Sequence, residues 1–226
     1  MKTILIKPKA IIWLVPALLI GISFSSCSKK NEIDSVANPA SGYVTFVNAA
    51  QGIATQDFFV DNIKINNTGL AYAESTGYVE IKTGGHQLQV KSSVNSILNH
   101  TSTFSVTAPY YYSIFYADDK STLLVDDNRA TPKAGKCRVR FVNLSSAIGN
   151  VDIGIKGGAK IVSGLDYKTY SGYYDLDPGT AFFIYQGGSN VILKNIPVVL
   201  EMGHLYAIYF TGTSSSAVKY QLLTLD

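Results

Sequence analysis

The stretch VTFVN at residues 44–48 recurs 95 residues later as VRFVN at residues 139–143, and this recurrence is the main evidence for the fold. The same offset gives 12 identities over residues 44–85 without a gap. These identities include Gly69-Leu70 with Gly164-Leu165, Asp57 with Asp152, Tyr72 with Tyr167, and Gly77-Tyr78 with Gly172-Tyr173. Self-similarity of this kind indicates two copies of one structural unit.

Each copy has the pattern of β-structure. Apolar Val79 and Ile81 alternate with charged Glu80 and Lys82, which predicts a half-buried strand. Similar runs predict strands at 43–48, 57–60, 87–91, 103–107 and 111–116 in the first copy, and at 137–143, 151–155, 172–176, 181–185, 191–193, 205–211 and 219–225 in the second.

Turn signals such as Thr83-Gly84-Gly85 separate these runs. About seven short strands in roughly 90 residues are typical of a Greek-key sandwich. The predicted fold class is all-β, with two tandem immunoglobulin-like Greek-key β-sandwich domains at residues 42–130 and 136–226. The stretch from Asn128 to Gly135 is expected to join them.

The N-terminal segment has the features of an export signal. Three lysines precede an apolar run at residues 10–22, which is too short for a membrane-spanning helix of about 20 residues and suits a signal peptide. The small residues before Cys27 resemble the lipobox of bacterial lipoproteins, in which the signal peptidase cuts before a lipid-bearing Cys. We therefore expect a lipoprotein signal peptide at residues 1–26 and lipid attachment at Cys27.

Residues 27–41 are expected to form a lipidated Cys and a flexible tether with a root-mean-square span of roughly 20 Å. Asp34-Ser35-Val36 resembles the O-glycosylation motif of Bacteroidota, which makes Ser35 a candidate site, and an unmodified linker is the alternative. Ser28 differs from the Asp that retains lipoproteins in the inner membrane. This favours the outer membrane and leaves the leaflet open.

The charge balance argues against nucleic-acid binding. Without its signal peptide the chain has 16 basic and 16 acidic residues, whereas a nucleic-acid binder normally carries a basic excess. The two cysteines are Cys27 and Cys137. Since Cys27 is assigned to the lipid, neither a disulfide nor a Cys-based zinc site is expected, and Cys137 should be an inert thiol.

No catalytic or metal-binding motif is present. The chain lacks the G-x-S-x-G and H-E-x-x-H patterns, and its three His are scattered. Acidic pairs such as Asp118-Asp119, Asp126-Asp127 and Asp175-Leu-Asp177 do not fall in a D-x-D-x-D-G calcium loop. We expect a protein that is not an enzyme and has no cofactor or metal.

Several repeated residues invite a structural or a ligand-binding interpretation. Structure is the simpler one, with a Tyr hydroxyl tying a crossover loop to backbone, as in a tyrosine corner. Gly69 and Gly164 are expected to supply a positive φ or a close backbone approach, with the Leu that follows each entering the core of its own sandwich. The other repeated candidates are Asp57 and Asp152, Tyr72 and Tyr167, and Tyr78 and Tyr173.

Tyrosine is unusually frequent, with 15 in the chain. Exposed tyrosines suit recognition of proteins or sugars, and β propensity is the alternative reason for their number. Tyr110, Tyr170 and Tyr174 are the candidate binding surface. The single Trp lies in the signal peptide, so the mature chain lacks the flat Trp platform common in sugar-binding modules.

The motifs V-x-F-V-N, G-L-x-Y and G-Y-x-x-I/L-x-x-G, with an Asp opening the second strand, resemble the DUF4397 domain. The resemblance covers nearly the whole mature chain. It implies extracytoplasmic β-sandwich domains, frequent in lipoproteins of Bacteroidota and often in tandem. It supplies no active site to carry over.

The expected function is a non-enzymatic cell-envelope lipoprotein with an interaction or scaffold role. It would be lipid-anchored to the membrane, with an envelope protein or a polysaccharide as partner. Two alternatives are a glycan-binding accessory lipoprotein of a nutrient-uptake system and a fimbrillin-like pilus or adhesion subunit. Fimbrillins are released by an Arg-specific cut after the lipobox, and the first Arg here is Arg129, far beyond the tether.

Overall fold

The computed structural model describes residues 40–226, which form 17 strands in four sheets. The strands of the first half are β1 Ser41–Asn48, β2 Gln56–Val60, β3 Ile63–Lys64, β4 Ser75–Lys82, β5 Gly84–Ser92, β6 Leu98–Val106, β7 Tyr111–Tyr116 and β8 Thr122–Asp127. Those of the second half are β9 Cys137–Asn143, β10 Val151–Ile155, β11 Lys160–Leu165, β12 Thr169–Tyr170, β13 Tyr174–Leu176, β14 Phe182–Gln186, β15 Ile192–Ile196, β16 Leu205–Thr211 and β17 Lys219–Thr224.

The prediction of an all-β sandwich fold is confirmed. The only helical segment among residues 40–226 is the 3₁₀ turn Ser215–Ala217, and no helix there is long and apolar enough to cross a membrane. The predicted signal peptide, the lipid site Cys27 and the glycosylation site Ser35 lie outside the described residues.

Both halves have the same strand order. One sheet of the first half runs β4-β1-β7-β8, and its counterpart in the second half runs β12-β9-β16-β17, with β13 also pairing with β9. The other two sheets run β3-β2-β5-β6 and β11-β10-β14-β15. In each half the first strand pairs in parallel with the strand before the last, as β1 with β7 and β9 with β16. The matching order is what a duplicated unit would give.

Four strands were missed in the sequence: β3, β8, β11 and β12. β8 has the sequence TLLVDD and pairs along its whole length with β7. Its strand pattern was not recognised because it ends in the acidic pair Asp126-Asp127. Two of the others are only two residues long. In the second half the strand equivalent to β4 is interrupted at residues 171–173, which leaves the short β12 and β13.

Three apolar clusters hold the described residues together. One fills the first sandwich and contains Val44 and Phe46 of β1, and a second fills the other sandwich and contains Phe141 of β9. The third lies between the halves and comprises Val47, Ala49, Phe115, Ala117 and Val125 of the first half with Val142, Leu144, Leu205, Ala207, Tyr209 and Leu225 of the second. Because β1 contributes to two clusters, its central residues are buried on both faces.

No strand of β1–β8 pairs with a strand of β9–β17 in the described part of the chain. The halves meet through side chains of the third cluster, which we call the shared cluster. Sheet pairing alone does not show that either half folds by itself. The domain boundaries at residues 42–130 and 136–226 therefore stay a prediction.

Candidate functional site

An open groove of about 530 Å³ lies where β7 begins and β8 ends. This volume falls in the range of small-molecule sites. Tyr110 is 61% exposed there. The groove is lined by Thr107, Pro109, Tyr110, Tyr111, Tyr112, Asp126, Asn128, Arg129 and, at its base, Asp127.

The tyrosines that line the groove differ in how far they are buried. Tyr112 is buried in the first sandwich, and its hydroxyl accepts a hydrogen bond from the Thr107 backbone N–H at 3.3 Å. Asp126 lies opposite Tyr112 in the strand register, at the exposed end of β8. Tyr110 precedes β7 and stays outside the core. The exposed ring of Tyr110 and the exposed carboxylate of Asp126 therefore line the same groove.

Stacked side chains fix the position of Arg129. Its guanidinium lies 4.5 Å from the ring centroid of Tyr111 and 5.6 Å from that of Tyr78. The Tyr111 ring in turn stacks on Tyr43, with centroids 4.7 Å apart and planes at 16°. Among residues 40–226, neither Arg129 nor Asp126 forms an ion pair. Both charged groups remain available to a ligand.

All three arginines of the chain lie over tyrosine rings. The Arg140 guanidinium is 4.1 Å from the ring centroid of Tyr173 and 5.0 Å from that of Tyr170. Arg138 lies 4.9 Å from Tyr173. Such cation–π contacts stabilise the charge and order the side chain. The row of arginines and tyrosines crosses from the first half to the second.

A buried ion pair supports the groove from below. Arg140 of β9 and Asp127 of β8 are 3.3 Å apart, with side chains only 5% and 1% exposed. Asp127 also accepts hydrogen bonds from the hydroxyls of Ser113 at 2.5 Å and Tyr78 at 2.9 Å. Burial raises the pKa of the Asp127 carboxyl, against the lowering effect of Ser113, Arg140 and Tyr78. Because breaking one partner of a buried pair is costly, this network holds the two halves in register.

The three predicted surface tyrosines do not form one surface. Tyr110 lines the groove, whereas Tyr170 is 37% exposed and lies over Arg140 outside it. Tyr174 is half-buried against the second sandwich, with its ring centroid 6.4 Å from that of Phe141. A role in binding stays a prediction for each of the three.

Sequence reasoning missed Asp126 and Arg129 as groove residues. A signal was present, since all three arginines of the chain fall within residues 129–140. Clustering of a residue type that is otherwise absent points to a local role. The pairing of this segment with the tyrosines of β4 and β7 is visible only in the folded chain.

The repeated Tyr72 and Tyr167 join the two halves. Tyr72 shares a 2.7 Å hydrogen bond with the Thr211 hydroxyl of the second half. Burial and the nearby Asp119 carboxylate of the first half raise the pKa of Tyr167. The structural interpretation is supported, but the expected backbone partner was wrong for this pair. Tyr78 likewise bonds to a side chain, that of Asp127.

The tyrosine corner is formed by a different repeated pair. The Tyr112 hydroxyl accepts from the Thr107 N–H, and the Tyr206 hydroxyl accepts from the Glu201 N–H at 3.1 Å. In both halves the two residues are five apart in sequence. Each hydroxyl therefore ties the segment before its strand, β7 or β16, to that strand.

The carboxylates of the repeated aspartates, Asp57 and Asp152, accept hydrogen bonds and form ion pairs within their own halves. Asp152 accepts the backbone N–H groups of Gly164 at 2.9 Å and Gly188 at 3.2 Å, and pairs with Lys160 at 3.1 Å. The Gly164 N–H is the largest cause of its lowered pKa. Asp57 is likewise bound by Lys64, Ser93 and Asn66, which lower its pKa although burial raises it.

The Asn that ends the V-x-F-V-N motif is hydrogen-bonded to the Leu of the G-L-x-Y motif in both halves. The buried amide of Asn48 donates to the Leu70 carbonyl oxygen at 2.9 Å, and that of Asn143 donates to the Leu165 carbonyl oxygen at 3.1 Å. The two motifs recur together because one satisfies the backbone of the other.

The remaining candidates, Cys137 and the pair Asp118 and Asp119, do not line the groove. Cys137 is a buried free thiol whose pKa is raised by burial. Within residues 40–226, no three His, Cys, Asp or Glu side chains are grouped to hold a metal ion. Asp118 and Asp119 are occupied by contacts with the second half, to Gly212 and Lys168.

A family model described as "Domain of unknown function (DUF4397)" matches residues 42–154, half of the chain. The match begins in β1 and ends in β10. None of the curated proteins matches the sequence.

Several solved structures are similar to this chain, with low sequence identities and low TM-scores. A family 26 carbohydrate-binding module from Eubacterium rectale, solved with maltoheptaose, has 12% identity and a TM-score of 0.27, over 82% of this chain and 97% of that one. An α-glucan-binding streptococcal virulence factor has 12% identity and a TM-score of 0.26, over 74% and 93%. Family 41 carbohydrate-binding modules from streptococcal virulence factors give 12% and 0.26, over 76% and 95%. Similarity this low says nothing of what the present chain binds.

Proposed function

The chain belongs to the DUF4397 family, and we propose that it is a non-enzymatic binding module held to the bacterial cell envelope by a lipid on Cys27. The observation that carries the binding role is the groove at the ends of β7 and β8. It combines the exposed ring of Tyr110 with the charged groups of Asp126 and Arg129, which are not paired with each other or with other described residues.

The groove is pre-organised for binding. Arg129 is already ordered by stacking on Tyr111, and the base is fixed by the buried pair of Asp127 and Arg140. Ordering flexible side chains costs about 0.5–1.5 kcal/mol each on association, so a site whose side chains are ordered beforehand binds more tightly. Tyr110 adds a large contact area at a low entropy cost, because a Tyr has two side-chain torsions.

The location in the envelope rests on the sequence. The lipobox-like segment before Cys27 supports a lipid anchor, and Ser28 supports the outer membrane. A tether of roughly 20 Å would keep the folded body close to the membrane surface. The partner would then be another envelope component, either a protein or a polysaccharide.

The anchor is tested by metabolic labelling with a palmitate analogue. The wild-type chain should become labelled and fractionate with the outer membrane. Cys27→Ala should lose the label and leave the membrane, because the thiol that carries the lipid is gone. A Cys27→Ala protein that stays labelled and membrane-bound would contradict the anchor, with Cys137→Ala as the matched control that keeps the label.

The groove is tested in intact cells by photo-crosslinking. We expect benzoylphenylalanine in place of Tyr110 to form a defined adduct, and the same group in place of Ile63 of β3 to form none of the same mass. Both side chains are exposed, and only Tyr110 lines the groove. Equal adducts at both positions, or none at position 110, would contradict a binding role for the groove.

A further inference from the structure

The groove contains charges of both signs that are not neutralised by each other. Asp126 supplies a carboxylate and Arg129 a guanidinium, and neither forms an ion pair within the described residues. The side-chain oxygen of Asn128 already accepts the Ala130 N–H at 2.9 Å, so its NH₂ group is left to donate. The lining therefore offers an acceptor and two donors beside an aromatic ring.

This combination selects against simple ions. An anion would be repelled by Asp126, whose charge is not offset by an ion pair, whereas the Asp127 carboxyl is already paired with Arg140. A cation would be repelled by Arg129. A hydroxyl group, in contrast, donates one hydrogen bond and accepts others, so neighbouring hydroxyls can pair with a carboxylate and a guanidinium at once.

The exposed ring adds a preference for a ligand with an apolar face. Tyr110 is 61% exposed, and the rings of Tyr111 and Tyr112 are taken by stacking and by the core. Aromatic rings bury large areas against apolar surfaces, and a sugar ring presents C–H groups on one face and hydroxyls around its edge. The groove is open to solvent, so a polymer can enter and continue past it.

Resting on the proposed function, we propose that the groove binds an uncharged polysaccharide. One sugar ring packs on Tyr110, and its hydroxyls donate to Asp126 and accept from Arg129 and Asn128. The ligand class follows from the mixed charges together with the exposed ring.

Affinity electrophoresis tests this with the full chain, purified in mild detergent. The native gels contain dextran, amylopectin, xylan or galactomannan as uncharged probes, and alginate or polygalacturonate as polyanions. At least one uncharged polymer should retard the wild type, and the polyanions should not. Tyr110→Ala should weaken that retardation at least about tenfold, which corresponds to about 1.4 kcal/mol.

Matched variants separate the contacts. Tyr110→Phe should recover most of the binding lost in Tyr110→Ala, because the ring is kept. Asp126→Asn and Arg129→Gln should each weaken binding, whereas Ile63→Ala, which removes an exposed side chain of β3 outside the groove, should not. Each variant should melt within a few degrees of wild type, since these side chains lie on the surface.

Two results would overturn the ligand class. Retardation by polyanions that Arg129→Gln removes and Asp126→Asn strengthens would show an anion site. No retardation by any uncharged polymer, together with a protein adduct at position 110 in cells, would overturn the polysaccharide while the binding module stands. Absence of both retardation and adduct would defeat the proposed function as well.

Discussion

Two glycines at equivalent positions are required for different physical reasons. A Cβ at Gly69 would lie 2.2 Å from the Ser93 hydroxyl oxygen and 2.6 Å from its Cβ, so this position needs a close approach. Gly164 has φ +68°, a left-handed conformation that favours glycine. The sequence predicted one reason or the other, and each copy uses a different one. Leu70 and Leu165 are buried in their own sandwiches, as predicted.

We expect both positions to be sensitive to a side chain. Gly69→Val should destabilise the chain by about 1–3 kcal/mol through the clash with Ser93, and Gly164→Val should do so through backbone strain. Gly164→Asn should cost less than Gly164→Val, because Asn tolerates the left-handed region. Thermal unfolding measures each change.

Gly85→Ala is the control, since a Cβ there meets nothing within 4 Å and its φ is not left-handed. It should leave the melting temperature nearly unchanged. If Gly69→Val and Gly164→Val melted like wild type and instead lost the adduct at position 110, the two glycines would belong to a binding site.

The connection between the strands β7 and β8 forms polar contacts with the second half. Asp119 on this connection pairs with Lys168 of the second half at 2.6 Å. Burial raises its pKa, but hydrogen bonds from Lys168, Ser121 and Tyr167 outweigh burial and lower the pKa to about 2, from an ordinary value of 3.8. The folded chain therefore prefers the charged form of Asp119.

This preference gives a pH dependence of defined sign. Above an ordinary pKa of 3.8, Asp119 is charged in both states and its stabilising contribution is complete. As the pH falls from about 4 to 2 the unfolded chain takes up the proton first, so the contribution is lost. Asp119→Asn should lower the melting temperature at pH 6 and flatten its decline between pH 4 and 2.

Glu80→Gln on the exposed face of β4 should keep the wild-type profile, and it serves as the control. If the melting temperature fell equally steeply with pH in Asp119→Asn and in the wild type, the ion pair of Asp119 with Lys168 would not contribute to the pH dependence. Melting curves at half-unit pH steps would resolve the difference.

The elements themselves were predictable where their pattern was strong. The alternation at residues 78–82 and the runs at 43–48 and 111–116 became β4, β1 and β7. The missed β8 is the edge strand that carries Asp126, and β8 forms one side of the groove. The groove could not be located from the sequence, because one of its walls had no recognisable strand signal.

The shared cluster contains apolar side chains of both halves, so it couples the stability of one half to that of the other. Each half retains its own core, so residues 42–130 and 136–226 expressed separately should each give β-type circular dichroism and cooperative unfolding. Both should melt below the full chain, since apolar side chains such as Phe115 and Tyr209 become exposed.

Mixing the separated halves should restore a one-to-one complex, measurable by size-exclusion chromatography with light scattering. The contacts of Tyr72 with Thr211, of Lys168 with Asp119 and of Arg140 with Asp127 would form again. If neither half folded alone, the shared cluster would be part of a single core and the predicted boundary would be wrong.

The all-β class and the repeat could be predicted from the amino-acid sequence, because alternation and glycine turns are local and the copies share an offset. The repeated Asn48 and Gly69 also indicated contacts made within one copy. The positions of Tyr72 and Tyr167 against the other half, and the stacking of Arg129 on Tyr111 beside a groove, are visible in the folded chain alone. These pairings depend on how two sheets face each other, and a one-dimensional pattern does not specify which faces meet.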